Sequence, residues 1–202
     1  MKRLGNLDLR LPRITCALAV LLVMTGCETL TRSKVSVDYY QIKGNTTAAL
    51  DREIKRKGPV LGGGKHAVAV ARIAMVPNLK FERAVGRCRI GSAKIAVNAR
   101  VTLPSWRGRR KADPELGRTW DNIDRYTRLH EAVHVAMAFR YAKRMEAEIS
   151  QLPAYRTCGL ARSAAERVFT RLLKEHDNSQ KAFDRDEEAR LAKFARGTKP
   201  KS

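Results

Sequence analysis

No apolar run in this chain approaches the roughly 20 residues that a membrane-spanning helix needs; the longest, Ile14 to Met24, has eleven. Cysteine is scarce, four in 202 residues with no C-x-x-C pair, which argues against closed thiolate zinc modules. Aromatic residues make up 6% and are not interleaved with the basic clusters, as a base-stacking surface would require. Acidic side chains are outnumbered, 20 against 41 Lys and Arg. No internal repeat is present, so a solenoid is excluded. The one glycine-rich stretch, Gly58 to Lys65, fails the phosphate-loop pattern: Pro59 stands at the first required glycine, and His66 stands where Ser or Thr would bind magnesium.

What is present begins with an export signal. Lys2, Arg3, Arg10 and Arg13 form a basic region ahead of the eleven-residue apolar stretch, the build of a cleaved signal peptide over residues 1–26. Its end, Val23-Met24-Thr25-Gly26-Cys27, resembles a bacterial lipobox, with Met24 where Leu is usual. On that resemblance Cys27 is the lipidated first residue of the mature chain, residues 27–34 are a linker, and Glu28 favours the outer membrane, facing the periplasm. Cys16 leaves with the signal, so Cys88 and Cys158 remain, and in an oxidising compartment they are expected to form a disulfide. Removing residues 1–26 takes away four basic and one acidic side chain, lowering the formal charge from +21 to +18. So basic a chain is drawn to anionic membranes and cell-wall polymers. Export makes nucleic acid an unexpected partner.

The mature chain reads as sheet first and helices afterwards, an α+β order. Val35 to Tyr40, Ala67 to Val76 and Arg89 to Leu103 carry strand patterns, and Thr47 to Lys55 reads as a short helix capped by Asn45 or Thr46. Leu103-Pro104-Ser105-Trp106 ends the sheet, and Leu160 to Phe194 is a second long helix. Residues 195–202 read as a disordered basic tail.

The first long helix carries the chemistry. Between Thr119 and Leu152 there is no Gly or Pro, and Ile123, Tyr126, Val133, Met137 and Tyr141 recur at helical spacing, with Thr119 or Asp121 as cap and Pro153 as stop. Inside it lies His130-Glu131-Ala132-Val133-His134, the H-E-x-x-H spelling. With four His in the chain, that spelling would arise in under roughly one percent of shuffled versions. The i, i+4 spacing stacks both imidazoles on one face within reach of a single Zn2+, and Glu131 can act as general base on water that the metal polarises. The competing reading, two histidines on a core helix with Glu131 as a solvated charge, places no carboxylate in the interior.

A catalytic zinc normally takes three protein ligands. Glu166 lies far along the chain, Glu146 and Glu148 sit on the same helix, and Arg140 occupies the place of a third histidine soon after the second. His176, Asp184, Asp186, Glu187 and Glu188 remain candidates; His176, Asp184 and Glu187 or Glu188 share roughly one face of the last helix, so one can be the ligand and the others act behind it.

Several pieces together resemble a family, the predicted secreted zinc-dependent proteases of bacteria: Tyr39-Tyr40 with Gly44-Asn45-Thr46, Gly86-Arg87-Cys88, Leu103-Pro104-Ser105-Trp106, Trp120 ahead of the H-E-x-x-H, Cys158, and Ala182-Phe183-Asp184. The resemblance implies zinc at His130 and His134, Glu131 as catalytic base, and a Cys88–Cys158 disulfide. Family members continue with a Thr and a His-Gly pair, where this chain has Glu187, Ala189 and Arg190, which turns the third ligand towards Asp184. The expectation is therefore a zincin-like α+β domain over residues 35–194, a small twisted sheet packed on two long helices, hydrolysing peptide or protein substrates of the cell envelope. The alternative is an envelope lipoprotein of the same fold that binds a partner without cutting it.

Overall fold

The computed structural model describes residues 32–197, with side chains to Lys193. The expected signal segment 1–26, Cys27, most of the linker and residues 198–202 of the tail lie outside the described residues. Among the described residues no helix is long and apolar enough to cross a membrane. The order is β1 (Lys34–Ile42), α1 (Thr47–Lys57), β2 (Val70–Ala84), β3 (Arg87–Trp106), a 3-10 turn (Arg109–Lys111), α2 (Pro114–Ser150) and α3 (Cys158–Gly197). Thus the α+β order holds, with three strands and two long helices.

The sheet runs β1-β3-β2, with β3 central, parallel to β1 and antiparallel to β2. Ile95 and Val97 send their amides to Glu146 and Ser33, away from β2. Odd-numbered pairs of the β2–β3 ladder, such as Ala71 with Val101 and Pro77 with Ile95, are therefore non-hydrogen-bonded, and the odd residues of β2 turn their amides outwards. This explains why β2 continues to Ala84 rather than ending at Val76. Pro77 lacks an N–H only on the open side of an edge strand, where none is needed. Pro104 is likewise harmless in β3, because it lies beyond the last β2 partner, Thr102 opposite Val70.

Ile95 and Val97 pack against Ala138, Ala142, Met145 and Ile149 of α2, and Ala161, Ala165 and Leu172 of α3 close the same core. The alanines let both helices approach the sheet closely. A second cluster joins Ile42 and Leu50 to Trp106 and Trp120, whose rings meet edge-on at 5.7 Å. It fixes the start of α2 against the sheet end.

That start precedes the expected Thr119. Asp113 caps the helix, its carboxylate accepting from the amides of Glu115 and Leu116, and Pro114 occupies the first turn. Gly117, which reads as a break, has a local purpose. A Cβ there would come within 2.8 Å of the Arg109 guanidinium, which lies across the helix to make a two-pronged pair with Asp121 at 2.7 and 2.5 Å. Cys88 and Cys158 form the expected disulfide, with Cα atoms 5.1 Å apart, and Cys88 also exchanges two backbone hydrogen bonds with Tyr155. The link between the long helices is thereby stapled to the start of β3.

Candidate metal centre

The two long helices form an antiparallel hairpin, and its register assembles the site. Down the hairpin the contacts run Glu148 with Arg171, Arg144 with Glu175, Tyr141 with Ser179, His134 with Gln180, His130 with Asp184 and Tyr126 with Glu187. Asp184 therefore faces the histidine pair. The Nε2 atoms of His130 and His134 are 3.0 Å apart, and Asp184 Oδ1 lies 3.3 and 2.9 Å from them. The Phe183 ring, 4.9 and 5.2 Å from the two imidazoles, holds their other sides.

The polar atoms around this triangle show what it can accept. Gln180 Nε2 donates to the His134 carbonyl at 3.3 Å, which turns Oε1 to His134 Nδ1 at 2.6 Å. Nδ1 must then carry the proton, so the Nε2 lone pair of a neutral His134 points at a carboxylate oxygen 2.9 Å away. Two acceptors at that distance repel unless a cation lies between them. A tetrahedral ion with bonds near 2.0–2.1 Å separates its ligand atoms by about 3.3 Å, close to the spacing present. Together His130, His134 and Asp184 are a group that could hold a metal ion. The other expected candidates lie outside it. His176 is buried behind Gln180, its Nε2 2.9 Å from the amide nitrogen; Glu187 accepts from the Tyr126 hydroxyl at 2.5 Å and pairs with Arg190 at 2.7 Å; Glu188 stands on the cleft wall. Glu146 is occupied by the Ile95 amide.

Glu131 is only 6% exposed, unlike a solvated charge on a core helix. Burial raises its pKa above the ordinary glutamate range, while nearby His134 and the outward amide of Ala71 on β2 favour its ionised form. His130 is shifted the other way, below the usual imidazole range, by burial first and by His134 next. Its Nδ1 is buried without a hydrogen-bond partner. Gln180 was not foreseen from the sequence; its only signal is the His176, Gln180, Asp184 spacing, which puts the three on one helix face.

The cluster opens into a cleft of about 970 Å³. One wall is the edge of β2 and the loop before it, including Leu61, Val68 and Ala71; the other is α3 from His176 to Ala192.

Residues 37–190 match the family model DUF922, described as a bacterial protein of unknown function, and the chain belongs to that family. No curated protein and no solved structure matches the chain.

Proposed function

We propose that this DUF922 protein is a zincin-like, zinc-dependent peptidase, lipid-anchored through Cys27 in the bacterial envelope, with its basic surface against anionic lipid or glycan. The observation that carries the reading is the convergence of His130 Nε2, His134 Nε2 and Asp184 Oδ1 within 3.3 Å of one another, close to a buried Glu131 and beside an open strand edge. His130, His134 and Asp184 would hold the ion, and two imidazoles with one carboxylate suit zinc better than magnesium or calcium. Bound there, zinc supplies a Lewis acid that makes water acidic enough to react near neutral pH. Glu131 is the proton acceptor, passing the proton to the leaving amine. The outward amide of Ile73, next to that of Ala71, which faces Glu131, can pair with a peptide backbone laid along β2. Gln180 holds His134 in the tautomer that leaves Nε2 free.

Elemental analysis of the disulfide-bonded protein should find one zinc per chain, lost in His134→Ala. Zinc should leave as pH falls and the imidazoles take up protons, and burial, which holds the His130 pKa below the usual imidazole range, should delay that loss at His130. A folded protein that takes up no zinc overturns the reading, and zinc without cleavage of any peptide transfers it to an envelope binding module. Gln180→Leu should weaken zinc by about 10- to 100-fold in competition with a chelator, and Gln180→Glu should restore most of the loss.

A further inference from the structure

The cleft carries charge of the sign opposite to the rest of the molecule. Its lining comprises twenty residues, and with 41 Lys and Arg among 202 a random wall of that size would hold about four of them. It holds none. Five carboxylates line it instead: Glu131, Asp177, Asp184, Glu187 and Glu188. Asp184 and Glu131 together would neutralise a divalent ion. Glu187 is already engaged by the Tyr126 hydroxyl and Arg190. Asp177, its side chain 59% exposed, lies 3.2 Å from the His176 imidazole, and among the described residues neither it nor Glu188 pairs with a Lys or Arg. Opposite them the wall is apolar, with Leu61 43% and Val68 38% exposed. The free edge of β2, an independent feature, supplies main-chain donors along the same wall.

We infer that the substrate of this cleft is a cationic peptide, an extended segment with Lys or Arg close to the bond that is cut and apolar side chains against Leu61 and Val68. The inference rests on the peptidase reading above. Asp177 and Glu188 bracket Asp184 on α3, seven residues before it and four after, or about 10 and 6 Å of helix rise. A peptide laid along the cleft advances about 3.3 Å per residue. The two carboxylates therefore address side chains about two to three residues from the scissile bond, one on each side. The rest of the molecule is positive, so anionic lipids and glycans are drawn to its outer surface and repelled from the cleft. Anchoring and substrate selection then use opposite charges and do not compete.

The test is a set of peptides of one length, carrying Lys, Ala or Glu two and three residues either side of a common scissile bond. The Lys peptide should exceed the Glu peptide by about tenfold or more in kcat/KM at low salt, mainly through KM. The ratio should shrink as the Debye length falls below about 10 Å above 0.1 M salt. Asp177→Asn with Glu188→Gln should abolish most of the preference. Equal kcat/KM for the Lys and Glu peptides would overturn the inference while leaving the peptidase intact. If no peptide is cut, anisotropy with labelled peptides separates the two claims: tighter binding of the Lys peptide to Glu131→Gln upholds the charge selection although the peptidase reading has failed, and equal binding ends both.

Discussion

Glu131→Gln is expected to keep its zinc and lose about a hundred- to ten-thousandfold in peptide hydrolysis, the range that a positioned general base contributes. Gln matches the shape of Glu and can keep its place beside the Ala71 amide. The Gln side-chain nitrogen carries hydrogens and cannot take a proton, so that function alone is removed. Folding should not suffer. Glu131 is 6% exposed, and a neutral side chain at a buried position avoids the cost of desolvating a charge. The melting temperature of the variant should therefore equal or exceed the parent's, so lost activity cannot be assigned to unfolding. His134→Ala offers the contrast, since it should lose metal and hydrolysis together. Undiminished cleavage by Glu131→Gln, with zinc measured in the same sample, would remove Glu131 from the mechanism.

The parts of this molecule that were legible in the sequence are those set by local spacing. Two histidines four residues apart on a helix must share a face, so two of the three residues of the candidate metal group could be read directly, and the cysteine pair followed from counting. Strand and helix order were also visible. Boundaries failed where tertiary structure excuses a residue that local rules forbid. Pro77 sits in β2 because that strand is an edge, and Gly117 sits in α2 because Arg109 needs the space above it. Spacing alone narrowed the third ligand only to one helix face, and Asp184 was favoured there through the family resemblance, because the choice depends on the register of α3 against α2. That register is set by pairs such as Arg144 with Glu175 and Tyr141 with Ser179, and by the packing of Leu172 and Met145 into the sheet. No short-range pattern encodes it. Gln180 was missed for the same reason, as a glutamine has no ligand chemistry of its own and acquires its role only from the histidine opposite.

Replacing both Cys88 and Cys158 by Ala should cost about 4 kcal/mol, the chain-entropy value for a loop of 70 residues. In a domain of this size that lowers the melting temperature by on the order of 10 °C. The loop contains nearly all of β3 and the whole of α2, so the unfolded chain gains freedom over the segment that carries the histidines. The folded site should change little. It lies in the middle of the helix hairpin, and between it and the disulfide stand the core around Met145, Ile149 and Leu172 and the Glu148–Arg171 pair. The double variant, measured well below its melting temperature, should therefore still bind one zinc. A melting temperature unchanged by the double substitution would mean that residual structure in the unfolded ensemble already holds the loop ends near one another. A variant that folds but takes up no zinc would instead make the disulfide a determinant of the α2–α3 register, because Cys158 is the first residue of α3 and its bond to Cys88 fixes where that helix starts.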